Sequence, residues 1–318
     1  MQISSRFLTL SIGWLIGLQL HAQQLTHRTD TSSVPVYAGR LYGTLFHPDA
    51  IENPPVVLII AGSGPTDRDG NSPLLPGKNN SLLQLAESLA QHGIASLRYD
   101  KRGVAQSAHS LQREESLVFE QNSADARVWL LWLYEKGYRR IYIAGHSEGS
   151  LVAIQAAQQF PISGLISLCG AGRPIQEILR EQLSNLPASL KNTANEYLDS
   201  LAAGHRIAQP ALPLFTLFRP SVQGYMISWM KLDPAKMLAQ LDIPSLILQG
   251  DKDIQVQVID AQQLANAAAS AQLHIIPHMN HVLKAVMSDN PQENISTYSD
   301  PSKPLMPALI QYLIEFIR

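Results

Sequence analysis

Ile141-Tyr142-Ile143-Ala144-Gly145-His146-Ser147-Glu148-Gly149-Ser150 reads as a short apolar strand that runs into Gly-x-Ser-x-Gly and then into a helix continuing through Leu151-Val152-Ala153-Ile154-Gln155-Ala156-Ala157. A serine on so sharp a strand-to-helix turn is held in a strained backbone conformation. Gly145 and Gly149 are required because side chains there would collide with the neighbouring strand and helix. The turn lifts the Ser147 hydroxyl clear of the sheet and aims the backbone N–H of Glu148 at the place where an oxyanion would form. The pentapeptide alone is a weak signal, and an ordinary turn serine is the competing reading. The β-branched and apolar residues before it and the helical run after it favour a nucleophile elbow.

Working outward, Val56-Val57-Leu58-Ile59-Ile60 is a continuous apolar run, which implies a strand covered on both faces. Helical spacing follows over 81–92, with Asn80 or Ser81 able to cap it, then a strand over 94–99 and a helix over 123–136. Further strands are expected over 140–144, 164–169, 245–249 and 272–276, and an amphipathic helix over 305–317. Strands interleaved with crossover helices imply an α/β fold with a mostly parallel central sheet and helices on both faces. Val34 to Pro48 alternates apolar and polar residues around Gly39 and Gly43, as an antiparallel edge hairpin would.

One region breaks this rhythm. Residues 173–240 offer no strand but several helical stretches, at 175–186 and 193–203, separated by Gln209-Pro210-Ala211-Leu212-Pro213. The expectation is a helical cap inserted into a core of residues 23–172 and 241–318, lying over the carboxyl ends of the strands, where open α/β sheets bind ligands. Phe215, Phe218, Tyr225, Met226, Trp229 and Met230 then face either the pocket or the cap's own core.

The chain begins with Arg6, an uncharged run from Phe7 to Leu20 and His21-Ala22-Gln23, the order of a secretory signal peptide over residues 1–22 with cleavage after Ala22. The run is shorter than the roughly 20 residues that cross a bilayer, so no stable membrane anchor is expected after cleavage. Export to the periplasm or the medium follows from that reading. A formal net charge of −2 without a basic cluster gives no means of gathering phosphates, which argues against nucleic acid as a partner. Cys169 is the single cysteine, so no internal disulfide can form; at a buried strand end it reads as a small core residue.

A serine hydroxyl is a poor nucleophile without an adjacent base oriented by a third group. Gly250-Asp251-Lys252-Asp253 follows one predicted strand and Pro277-His278-Met279-Asn280-His281 follows the last, so both reach the sheet edge that carries Ser147. His281 would take the serine proton while Asp253 holds the other ring nitrogen in the correct tautomer. Asp253 is preferred to Asp251 because the acid belongs on the loop beyond the strand, whose end Gly250 marks; Asp251 reads as a turn former. A second oxyanion donor, the backbone N–H of Ser63, is offered by Ala61-Gly62-Ser63-Gly64-Pro65-Thr66-Asp67, to act with that of Glu148. Gly62-Ser63-Gly64 also invites a dinucleotide-fingerprint reading, but Asp67 occupies the third glycine position and Pro65 opposes an immediate helix. The ten histidines show no i, i+4 ligand pairing on a helix, so no metal is expected.

Gly62-Ser63-Gly64-Pro65-Thr66-Asp67-Arg68-Asp69-Gly70-Asn71, Tyr99-Asp100-Lys101-Arg102-Gly103, Gly145-His146-Ser147-Glu148-Gly149 and Met279-Asn280-His281 resemble the bacterial α/β-hydrolase carboxylesterases of the serine-aminopeptidase-like branch. The likeness extends through Phe218-Arg219-Pro220-Ser221-Val222-Gln223 and Ser228-Trp229-Met230, with two departures: Gly224 stands where proline is expected, and Ala105 where that branch usually has glycine. The resemblance implies cofactor-free hydrolysis of a small-molecule, short-chain acyl ester through an acyl-enzyme on Ser147, with His281 and Asp253. A peptidase or thioesterase on the same fold is the first rival, and a non-catalytic binding protein the second.

Overall fold

The structure, a computed structural model, describes residues 26–49 and 51–318; the expected signal peptide lies outside them. Eight strands, β1 (His27–Val36), β2 (Gly39–Pro48), β3 (Val56–Ile60), β4 (Ala95–Tyr99), β5 (Ile141–His146), β6 (Gly164–Leu168), β7 (Ser245–Gly250) and β8 (Ala271–Ile276), form one sheet. Their spatial order is β1-β2-β4-β3-β5-β6-β7-β8. β1 and β2 pair antiparallel, β2 meets β4 antiparallel, and every pairing from β4 to β8 is parallel. This is the mostly parallel α/β sheet with an edge hairpin that the sequence implies.

Eleven helices accompany the strands among the described residues. α1 (Ser81–Gln91), α2 (Phe119–Glu135) and α3 (Glu148–Ala157) lie between strands of the first half. α4 (Ile175–Gln182), α5 (Ala188–Ala202), α6 (Phe215–Phe218), α7 (Gln223–Met230) and α8 (Pro234–Leu238) all fall between β6 and β7. α9 (Val258–Ala267), α10 (Pro291–Ser296) and α11 (Pro307–Ile317) complete the chain.

The apolar run of β3 shows why helices are needed on both faces. Val56, Leu58 and Ile60 pack with Phe119, Trp129 and Leu133 of α2, Val152 and Ile154 of α3 and Leu264 of α9. Val57 and Ile59 point the other way, onto Leu82, Leu85 and Leu89 of α1 and Leu309, Leu313 and Ile317 of α11. Alternation along a strand sends neighbouring side chains to opposite faces, and burying a large aliphatic side chain contributes about 1.5–3 kcal/mol, so neither layer is dispensable. Residues between β6 and β7 build a third cluster of their own, with Ile178, Leu198, Leu201, Phe218, Met226 and Met230 buried together.

Two local expectations are corrected. α1 is not capped by Asn80, which sits at φ 52, or by Ser81; the Ser81 N–H donates to Asn79 Oδ1 at 2.9 Å, while Asn80 Oδ1 accepts from Asn71 Nδ2. α2 begins at Phe119, four residues before the expected start, because the Phe119 N–H donates to Ser228 Oγ at 2.8 Å and Gln121 Oε1 accepts from the Val118 N–H. That long-range contact leaves no trace in the local spacing of the helix.

Candidate active site

β5 delivers Ser147 directly into α3. Ser147 has φ 54 and ψ −122, a conformation disfavoured for any residue with a Cβ, and its N–H donates to Leu168 O at 2.9 Å. Both elbow glycines are needed for space. A Cβ at Gly145 would stand 2.0 Å from the Gly149 carbonyl oxygen, and one at Gly149 would stand 2.5 Å from that of Ile60 on β3. The turn is therefore locked between its own helix and the adjacent strand.

His281 and Asp253 arrive on the loops after β8 and β7. His281 Nδ1 lies 2.8 Å from Asp253 Oδ2; a carboxylate can only accept, so Nδ1 carries a proton and Nε2 is the ring nitrogen left to face the nucleophile's proton. Asp253 Oδ2 also accepts from Gln249 Nε2 at 3.0 Å, and Oδ1 accepts from the N–H groups of Gln255 and Val256 at 2.8 and 3.0 Å. Burial by itself would raise the Asp253 pKa, but the neighbouring His281 and these hydrogen bonds hold it below the ordinary carboxylate value. Asp251 does not reach the imidazole. Its Oδ1 accepts from the His278 N–H at 2.6 Å and so ties together the loops that carry the acid and the base.

The sequence alone gives three further contributors no role, although His146 and Lys101 lie within the motifs that carry the resemblance. His146, the variable residue of the pentapeptide, points Nε2 at the His281 carbonyl at 2.7 Å, so Nε2–H is the donor and the ring is neutral. Burial, and then the nearby His281, lower its pKa to about 4. Gln249 braces Asp253, as above. Lys101 sits buried beside Glu148, with Nζ 3.6 Å from Glu148 Oε1, and its ammonium donates to the Gly62 carbonyl.

The two expected oxyanion donors, on Ser63 and Glu148, line the same cavity as Ser147. Glu148 is the first residue of α3, where N–H groups have no intrahelical acceptor. The Ser63 N–H has no acceptor among the described residues. Gly62 approaches the elbow closely, since a Cβ there would meet Ser147 Cβ at 3.2 Å. Beyond Pro65 the loop turns inward on itself. Arg68 binds Asp100 through its N–H at 2.9 Å and Nη2 at 2.7 Å, and Asp67 Oδ1 accepts from the N–H groups of Asp69 and Asn71.

Ser63, Ser147 and Glu148 open onto a cavity of about 860 Å³. Leu111, Leu117 and Leu151 line it from the sheet side; Ile178, Leu183, Phe215, Met226 and Trp229 do so from the segment between β6 and β7. Of the six large residues left open between pocket and core, Phe215, Tyr225, Met226 and Trp229 line the cavity, while Phe218 and Met230 pack into the segment's own cluster, which Met226 shares. A second cavity of about 800 Å³ lies beside Arg140, where β5 begins, and holds none of the expected site residues.

Cys169, Asp253 and His281 bring possible ligand atoms within 4.8 Å of one another. Burial keeps the Cys169 thiol protonated, well above its usual pKa, and the proton on His281 Nδ1 is committed to Asp253. The set is a poor metal cradle on its own chemistry.

Comparison with known proteins bears on the fold and the family. Over 236 residues the chain is 25% identical to Esterase EstD of Thermotoga maritima, a match that takes in 72% of this chain. The chain spans about half the length of that curated relative, 54%. Among solved structures, Est1E of Butyrivibrio proteoclasticus with ferulic acid bound superposes with a TM-score of 0.57 at 19% identity, covering 90% of this chain and 99% of that one. The Pyrococcus furiosus esterase Pf2001 gives 0.56 at 15% identity, covering 92% of each chain. These likenesses establish the α/β-hydrolase fold. Residues 78–285 match the family described as Serine aminopeptidase, S33, and the chain belongs to that family.

Proposed function

We propose that the chain is a serine hydrolase of carboxylic esters in which Ser147 is the nucleophile, His281 the general base and acid, and Asp253 the orienting carboxylate. The observation that carries this reading is the strained Ser147 at the mouth of an apolar cavity, with a buried His281–Asp253 pair on the neighbouring loops. His281 Nε2 takes the Ser147 proton as Oγ attacks the ester carbonyl. The oxyanion is met by the N–H groups of Ser63 and Glu148, and His281 then returns the proton to the leaving alkoxide. Water, deprotonated by the same nitrogen, releases the acid from the acyl-enzyme and regenerates Ser147.

An uncharged acyl ester suits this cavity better than the amino-terminal residue of a peptide. An aminopeptidase must neutralise a substrate ammonium with a free carboxylate. The two acids lining the cavity are both engaged: Glu114 by Arg219 and Ser221, and Glu148 by Lys101. Residues 173–240 act in this reading as a cap that measures the acyl group, and residues 1–22 direct export to the periplasm or the medium.

Exposure to a fluorophosphonate followed by peptide mapping should find Ser147 as the sole modified residue, and a panel of chromogenic acyl esters, thioesters and amino-acid amides should be turned over with esters ahead. Labelling elsewhere, or amides ahead of esters, would refute the assignment.

A further inference from the structure

We propose that Lys101 is a positioning residue that clamps both halves of the oxyanion hole, holding the Ser63 N–H through the Gly62 carbonyl and the Glu148 N–H through the Glu148 carboxylate. The proposal rests on the serine-hydrolase reading above and adds a residue that the triad does not require.

The argument begins with the peptide unit. The Gly62 C=O and the Ser63 N–H belong to one planar trans peptide, so they point in opposite directions. The Lys101 ammonium donates to that carbonyl, which fixes the plane and sends the N–H the other way. A free loop peptide can flip at little cost, and a flipped peptide would present a carbonyl oxygen, not a donor, to a developing negative charge. The close approach of Gly62 to the elbow, with room for no Cβ nearer than 3.2 Å to Ser147, places this peptide directly beside the nucleophile.

The second half of the clamp is the ion pair. Lys101 Nζ lies 3.6 Å from Glu148 Oε1, and only 5% of Lys101 and 7% of Glu148 are exposed. Desolvation of two charges offsets most of their attraction, so such a pair is weak evidence of stabilisation and better evidence of geometric specification. Glu148 is the residue whose own N–H is the other donor. One ammonium on the loop after β4 therefore ties the loop after β3 to the first turn of α3. The Tyr225 hydroxyl, which accepts from Asn122 Nδ2 at 2.9 Å, faces the same Glu148 carboxylate and extends the network to α7.

A clamp of this kind acts on the transition state and leaves ground-state binding alone. The test is the double variant Lys101→Met with Glu148→Gln, which removes the pair without leaving a charge buried. Its kcat should fall about 10²-fold, the scale of losing one oxyanion donor, with KM within about threefold and an unchanged melting temperature. Affinity for a trifluoromethyl ketone, whose hemiketal oxygen occupies the hole, should fall in step with kcat/KM. Glu148→Gln alone keeps the ammonium-to-carbonyl bond and should lower kcat by less than about tenfold, again without a KM change. That single variant carries the test if the double one does not fold, and a rise in KM with unchanged kcat would then overturn the clamp. A folded double variant with kcat within about twofold of wild type would overturn it while leaving the esterase reading intact. A wild-type protein with no ester turnover and no Ser147 labelling would remove the reading on which the clamp rests.

Discussion

The carboxyl edge of the sheet and the helical segment over it face the same cavity but are built on different principles. At the edge, position is set by backbone: Gly145 against Gly149, Gly149 against Ile60 and Gly250 against Met279 leave no space for a single Cβ. The overlying segment meets the base through side chains. Arg173 binds Asp260, Tyr225 meets Asn122, and Ser228 meets the Phe119 N–H. Part of its apolar surface forms a cluster of its own, while Tyr225, Trp229 and Leu238 pack with the core beneath. Backbone contacts tolerate no substitution, whereas side-chain contacts can be exchanged. In the proposed function, the edge carries the chemistry and the roof selects the acyl group.

The sharpest way to break this division is at the acid. Asp253→Asn should lower turnover by up to about 10⁴-fold with an unchanged melting temperature, because the wrong imidazole tautomer is then favoured. Asp251→Asn should retain most activity, since its partner is the His278 N–H and not the imidazole. The opposite ranking, in folded variants, would move the chemistry off the residue the geometry selects.

The edge should also be the acid-sensitive region. His146 is neutral in both states above pH 6.5; as pH falls from 6.5 toward about 4, the unfolded chain takes up a proton that the buried ring refuses. Stability present above pH 6.5 is thus lost across that window, by up to about 3 kcal/mol. Urea midpoints of wild type and His146→Gln, compared between pH 7 and pH 4.5, should diverge at neutral pH and converge in acid. Parallel curves would show that the His146 ring is not what limits the edge.

At the roof, Trp229→Ala should shift the preference between long and short acyl chains by about tenfold while leaving turnover of the smallest ester nearly intact. Trp229 lines the cavity yet stacks on Phe119 at 5.6 Å, so a uniform fall across the series would reassign it to packing. The smallest effect is expected outside both regions. Ala105 is exposed at φ 43, a backbone state that suits glycine, so Ala105→Gly should stabilise by about 1 kcal/mol, read as a rise in melting temperature.

That last residue shows what the sequence could and could not say. The glycine usual at position 105 in resembling chains marked a departure, but only the dihedral angle gives its physical cause. Strand identity was legible because β3, β5 and β7 are buried on both faces and therefore mostly apolar. Ser147 and Asp253 were legible as candidates because each follows such a strand, and His281 because it follows the half-buried edge strand β8. His146, Gln249 and Lys101 were not, since their partners are carbonyls and carboxylates far along the chain, and no local pattern encodes a contact between loops. The start of α2 escaped notice for the same reason, its first N–H being capped from α7.

The strand order carries a consequence for folding. β3 and β5 are neighbours in space with β4 and α1 between them in sequence, and the loops bearing Asp253 and His281 follow the last two strands to join. Each group at the cavity is thus contributed by a different crossover, and pairings of this kind form late because long loops must close before any contact rewards them. A chain emerging from its amino terminus holds Ser147 long before it holds His281, the base proposed to activate it. On the proposed mechanism, turnover is consequently a readout of complete assembly, because it requires β8 and the loop after it to be in place.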